Sequence, residues 1–289
     1  MRIPLPPVPL PEKLVDVARE FEEGRQTPAE PRNAATVILM RPSAEGPEVY
    51  YLRRQVSMDF AGGMCVYPGG GVDPRDFDAT VGWAGPSPSE WAARLGCDEE
   101  TARALVCAAV RETFEESGVL LAGTSSSSVV ADTSGDDWET DRVALESREL
   151  SMTDFLNRRE LVLRTDLLGV WDAWLTPIFE PKRYSTWFFV AALPTGQVTR
   201  DVSSESSSVA WIPARVAAVQ ADSGELALMP PTYLTSLEVG GYDAPEDVLA
   251  IAASRAVEMF TPAVEPLGDG WTLSMPDRLR PLVARRHRS

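Results

Sequence analysis

Apolar positions at Leu14, Val15, Ala18 and Phe21 recur at the spacing of one helix face, and Gly24 ends the run, so residues 12–23 predict a short packing helix. Two β-branched or aromatic stretches, 34–40 and 49–53, flank the turn-like Pro42-Ser43-Ala44-Glu45-Gly46-Pro47 and predict a strand pair. A short strand framed by glycines follows within residues 60–71. Helical spacing returns over 89–95 and 98–117, with Gly96 between them and Gly118 just past the end, where a left-handed residue is tolerated. Residues 123–137, with the run Ser125 to Ser128 and Gly135-Asp136-Asp137, have the composition of a mobile surface loop. Further helices are expected at about 139–149 and 153–161, the second entered through Ser151 with Asp154 three residues on. Strands at 169–175, 184–193 and 208–212, helices at about 213–221, 231–238 and 245–256, and a last strand at 271–275 complete the pattern. Interleaved strands and helices without an internal repeat imply an α/β sandwich built on a mixed sheet.

The helix over 98–117 carries the candidate chemistry. At about 100° per residue, Glu112, Glu115 and Glu116 share one face near its end, while Val106, Val110 and Phe114 lie opposite, where burial is expected. Like charges so spaced repel by roughly 0.2–0.5 kcal/mol per pair and sit at the negative end of the helix dipole. Arg111 reaches Glu115 one turn on, but one guanidinium cannot neutralise three carboxylates. A Mg²⁺ ion, which takes a few carboxylate oxygens and bridges to phosphates, would; the alternative is a solvated acidic face.

Composition narrows the classes. With 289 residues and 44% hydrophobic content the chain can bury a large core. A formal net charge of −16 argues against binding nucleic acid or an anionic membrane, and a small anionic substrate would need metal ions or clustered arginines. Cys65, Cys97 and Cys107 form no C-x-x-C pair and no disulfide framework, which fits a reducing cytoplasm. The proline-rich start lacks the apolar core of a signal peptide, and no apolar run approaches the roughly 20 residues of a bilayer span, so a soluble protein is expected. The one histidine, His287, lies in a basic tail expected to be disordered, which leaves no Ser-His-Asp triad.

Arg111-Glu112-Thr113-Phe114-Glu115-Glu116-Ser117-Gly118-Val119 resembles the second half of the Nudix box, R-E-U-x-E-E-x-G-U, with Thr113 where an aliphatic residue is usual. Pro68-Gly69-Gly70 resembles the glycine loop that opens that box. The family's box has its glycine about six residues before a first glutamate, and that glutamate about eight before the arginine, where Arg103 stands here. About 40 residues separate Gly70 from Arg111, so the box looks split by an insertion carrying a helix around Trp91. Residues 107–121, 182–189 and 230–232 are similar to an insertion-bearing Nudix subfamily that includes a peroxisomal coenzyme A diphosphatase.

The resemblance implies a Nudix-type α/β/α sandwich over 33–275, with insertions at about 72–97 and 122–165, an N-terminal extension over 1–32 and a basic tail over 276–289. It implies Mg²⁺ or Mn²⁺ on Glu112, Glu115 and Glu116, with Arg111 among the catalytic residues and Glu205 as a candidate general base beside the box carboxylates themselves. Substrate contacts are expected from Arg53, Arg54, Gly69, Gly70, Lys182 and Arg183, although each also reads as an ordinary strand-end or turn residue. A coenzyme A element R-S-x-x-L-R-x-x-x-G is matched at Arg54, Met58 and Gly63, but Gln55 and Asp59 replace its serine and second arginine. The implied function is hydrolysis of a diphosphate in coenzyme A or an acyl-coenzyme A. Hydrolysis of NADH, ADP-ribose or another dinucleotide, or a Nudix-fold binding module without chemistry, are the alternatives. The implied partners are a small diphosphate and, as in many relatives, a second copy of the chain.

Overall fold

A computed structural model describes residues 5–57, 61–255 and 257–286. Helix α1 (Glu12–Glu22) precedes strands β1 (Arg32–Ser43) and β2 (Gly46–Arg54), the expected antiparallel pair, with Met40 opposite Val49. Short strands β3 (Cys65–Val66) and β4 (Gly69–Gly71) pair with β2 and β1 respectively. After β5 (Trp83–Ala84) come helices α2 (Pro88–Leu95) and α3 (Glu99–Ser117). Sequence sets their limits: Ser87 and Glu90 form a capping box at α2, and the Asp98 side chain accepts from Thr101 N–H at α3. Gly118, at φ +74°, closes α3 by donating to Phe114 O.

Next in the chain are β6 (Ala122–Gly123), α4 (Asp136–Glu146), α5 (Met152–Arg158), β7 (Val162–Arg164), β8 (Leu168–Leu175), β9 (Tyr184–Ala192) and β10 (Ser206–Pro213). Helices α6 (Ala214–Ser223), α7 (Pro230–Val239) and α8 (Pro245–Ala252), strands β11 (Met259–Phe260), β12 (Val264–Leu267) and β13 (Gly270–Leu273), and helix α9 (Arg280–Arg286) follow. The main sheet runs β10-β2-β1-β9-β8-β11 and is mixed, because β1 lies parallel to β9 while β9 is antiparallel to β8.

Alternation along the central strands splits the core in two. Ala35, Val37 and Leu39 of β1, with Trp187 and Phe189 of β9, face α2, α3 and α5; Ile38 and Met40, with Phe188 and Val190, face α6, α7 and α8. Successive residues point to opposite faces and both faces are covered, so these strands read as continuous apolar runs. The result is the expected α/β/α sandwich. Thr113, out of place in the box, is fully buried with its hydroxyl donating 2.7 Å to Ala109 O one turn back, so its polarity is satisfied inside the helix.

Two local expectations differ. Residues 123–137 are pinned instead of loose: Val130 N–H donates to Ala122 O at 2.9 Å, Gln197 Nε2 donates to Val130 O at 2.7 Å, and buried Thr133 donates to Gly118 O at 2.6 Å. Composition could not show these partners because most are remote in sequence. The basic tail is structured through Arg286: α9 buries Val283, Arg280 pairs with Glu265, and Arg286 pairs with Asp222. The last predicted strand, β13, has a hairpin partner in β12, which the sequence reading did not identify. His287 lies outside the described residues, and among those described no helix is long and apolar enough to cross a membrane.

Trp91 is fully buried, its ring 5.9 Å from that of Phe189 in the central sheet. Trp91→Ala is expected to cost about 3–5 kcal/mol, read as a lower urea midpoint at unchanged slope.

Candidate active site

The last two turns of α3 lie over the short strand β4, which pairs with β1 so that Thr36 opposes Gly69 and Ala35 opposes Gly70. This pairing brings backbone to carboxylate: Gly69 N–H donates to Glu116 Oε2 at 2.7 Å. Both glycines are required by close approach. A Cβ on Gly69 would meet Ala35 O and Thr36 Cα at 2.6 Å, and one on Gly70 would meet the Glu112 carboxylate at 2.5–2.6 Å.

Arg111 stands at the centre of the acids. Its Nη1 donates to Glu112 at 2.8 Å and to both oxygens of Glu115 at 3.2 Å. Its other edge grips Asp76, with Nε to Oδ1 at 3.1 Å and Nη2 to Oδ2 at 2.9 Å, and Nη2 also reaches Gly71 O at 3.0 Å. Sequence reasoning missed Asp76, having looked for the box's first acid eight residues before the arginine. Counting six positions forward from Gly70 would have found it. The interruption of the box therefore follows Asp76, and the first part of the segment expected as insertion belongs to the site.

One guanidinium among four carboxylates leaves surplus negative charge in a poorly hydrated place. Burial, then repulsion from Glu112, pushes the Glu115 carboxyl up to about 8. Burial likewise raises Glu112, against the pull of Arg111, and raises Glu116 well above the carboxylate range, with Glu112 and Glu205 adding to it and Gly69 N–H opposing. As the side chains stand, no group of three or more His, Cys, Asp or Glu among the described residues is arranged to hold a metal ion. Glu112 and Glu115 are turned to Arg111, and Glu116 to Gly69. In kind the donor set still fits a hard divalent cation: all-oxygen, in charge excess, and borne on glutamates whose rotatable side chains can re-aim.

A cavity of about 670 Å³ opens over this end of the sheet. Arg111, Glu112, Glu115, Glu116, Gly69 and Gly70 line it, joined from across the cleft by Arg54 and Glu205, whose side chains pair at 3.0 Å. Other predicted contacts are not brought there. Arg53 is exposed on β2 outside the lining, exposed Lys182 is also outside it, and Arg183 spends its guanidinium on Thr176 O and Ala29 O. Met58 and Asp59 lie outside the described residues. The rest of the wall is mixed: Val8, Trp174, Phe188, Met229, Pro231 and Leu234 give it an apolar stretch, and Arg75, Glu146, Arg148 and Glu180 stand among its polar groups. Sequence reading noticed two parts of it, Pro230-Pro231-Thr232 and the 182–189 segment that carries Phe188.

Comparison with known proteins bears on the family. The model of the NUDT19 Nudix domain matches residues 94–237, about half of the chain. The chain belongs to the Nudix hydrolase family. A nudix hydrolase 7 from Caenorhabditis elegans is 29% identical over 205 residues, a match spanning 69% of this chain and 57% of that protein. The Gallus gallus acyl-coenzyme A diphosphatase NUDT19 is 25% identical over 304 residues, spanning 86% of this chain and 80% of the relative. Among solved structures, a Nudix hydrolase from Alicyclobacillus acidocaldarius superposes with a TM-score of 0.66 at 25% identity, covering 77% of this chain and 96% of its own. The Nudix fold thus accounts for the sandwich.

Two outcomes follow for this Nudix site. Gly69→Ala collides with backbone and is expected to cost about 1–3 kcal/mol in denaturant unfolding. Gly70→Ala meets only the movable end of Glu112, so stability should hold while kcat falls about 10-fold or more. A carboxyl whose pKa is higher in the fold than in the unfolded chain favours the folded state when protonated. Between the unfolded value of 4.5 and the value of about 8 for Glu115, the folded chain therefore holds more protons, and metal-free protein should lose thermal stability as pH rises through that window. Glu115→Gln should flatten the slope of Tm against pH, and an unchanged slope would show that the site carries no such strain.

Proposed function

We propose that this chain hydrolyses the diphosphate of coenzyme A or an acyl-coenzyme A with Mg²⁺ or Mn²⁺, giving adenosine 3′,5′-bisphosphate and a phosphopantetheine or its acyl form. The observation that carries the reading is one cavity with two chemistries. Its carboxylate and glycine end suits a diphosphate, and the apolar stretch of its wall suits the pantetheine arm and any acyl chain, which dinucleotides lack. The resemblance to a NUDT19 acyl-coenzyme A diphosphatase supports the same substrate class.

Held by Glu112, Glu115 and Glu116, the divalent cation would offset charge developing on the diphosphate and lower the pKa of an attacking water. The chain's own residues supply the rest. Arg111, anchored on Asp76, keeps Glu112 and Glu115 at the cavity edge. Arg54 is the candidate for the phosphate: it lines the cavity beside the acids, with its Nη2 on Glu205 and a guanidinium suited to a phosphate oxygen. Glu205, half-exposed beside it, would accept the proton of the water.

Mass spectrometry of products from coenzyme A, acyl-coenzyme A, NADH and ADP-ribose with Mg²⁺ or Mn²⁺ tests the assignment. Adenosine 3′,5′-bisphosphate from the coenzyme A compounds, at higher kcat/KM than for either dinucleotide, is the expected result. Preference for NADH or ADP-ribose would reject the substrate class. Glu116→Gln is expected to lower kcat about 100-fold, and undiminished turnover would show that Glu116 is not a metal ligand.

A further inference from the structure

The end of α3 carries three acidic side chains and no basic residue in its last turn, where carbonyl groups lack helical partners and the dipole favours a cation. The missing cation arrives from another helix. Arg142 of α4, its side chain only 3% exposed, donates through Nη1 to Glu115 O at 2.7 Å. The same nitrogen donates to Glu146 Oε2 at 2.9 Å, and Nε and Nη2 hold Glu139 at 2.9 and 2.8 Å.

Both of these acids reach onward to one loop. Glu146 Oε1 accepts from Ser204 N–H at 2.8 Å, and Glu139 pairs with Arg200, whose own N–H donates to Ser117 O at 2.9 Å. The loop so fastened carries Glu205. That carboxylate is 52% exposed and is held at its tip by Arg54, so its location depends on how the backbone beside it is fixed. Burial favours neutral Glu146, but the Ser204 contact and Arg142 outweigh it and hold the carboxyl below its usual range, as expected of an anion used for structure.

We infer that Glu146, oriented by Arg142, is a positioning residue that sets Glu205 against the carboxylate helix. The inference rests on the role of Glu205 in the diphosphatase reading. It gives α4 a function: one buried guanidinium ties the backbone of a metal-site residue to the loop that bears the base. Because Glu146 acts through Glu205, its loss matters only while Glu205 is present.

A double-mutant cycle tests this on coenzyme A hydrolysis with Mg²⁺. Glu146→Ala is expected to lower kcat about 10-fold with KM changed less than about 2-fold. In a Glu205→Gln background, Glu146→Ala should add no further loss. An equal kcat loss in both backgrounds overturns the inference. So does a Glu205→Gln variant with normal kcat, although wild-type turnover would then leave the diphosphatase reading standing. Amide exchange gives a readout without activity: the Ser204 N–H should exchange about 10-fold faster in Glu146→Ala, and in Arg142→Met, than in the parent. Unchanged exchange at Ser204 also overturns the inference, even in a chain that turns over none of these compounds.

Discussion

Arg111 is the interaction on which the site depends. Its guanidinium, 9% exposed on the side chain, is the shared partner of Asp76, Glu112 and Glu115. A planar fork can serve two edges at once, which a lysine ammonium cannot, so one side ties down the glycine loop through Asp76 and Gly71 while the other steadies two acids of the helix. Remove that fork and buried carboxylates would face one another with little to offset them, a costly arrangement in a low-dielectric place.

Everything nearby can be read as support for holding such charge without neutralising it. Gly69 contributes a backbone N–H to Glu116, and Gly70 leaves the space in which the Glu112 carboxylate lies. Behind them, β4 is stitched to β1, and β1 lies at the centre of a sheet covered on both faces, which makes the platform stiff. The acids stay poised: raised in pKa, partly compensated, and open to a cavity that also has an apolar stretch of wall. A charge excess that is a liability to folding is what, under the proposed function, would draw a divalent cation to the site.

Much of the frame was legible in advance because it is periodic. Runs of β-branched and aromatic residues marked β1, β2 and β9, and 3.6-residue spacing with Asp98 and Gly118 at its ends marked α3. Contacts across long chain separations were not legible. Asp76 stands 35 residues from Arg111, and Ser204 stands 58 from Glu146. The serine-rich segment misled for the same reason: its polar composition suits a loose loop, yet Gln197 and Gly118 supply partners that hold it. Lys182 and Arg183 misled in the other direction, since a basic pair beside a strand reads as a phosphate site until Arg183 is seen bonding to backbone carbonyls.

Local chemistry along the chain determined the carboxylate face of α3, the glycines that precede it and the α/β character of the fold, because helix and strand periods and caps act over a few residues. Tertiary structure decided which acid completes the Arg111 clamp, which arginine faces the cleft and how the Glu205 loop is held. Those choices depend on which distant segments share one desolvated place, and burial there, not residue type, sets whether a charge is paired, shifted or left to solvent.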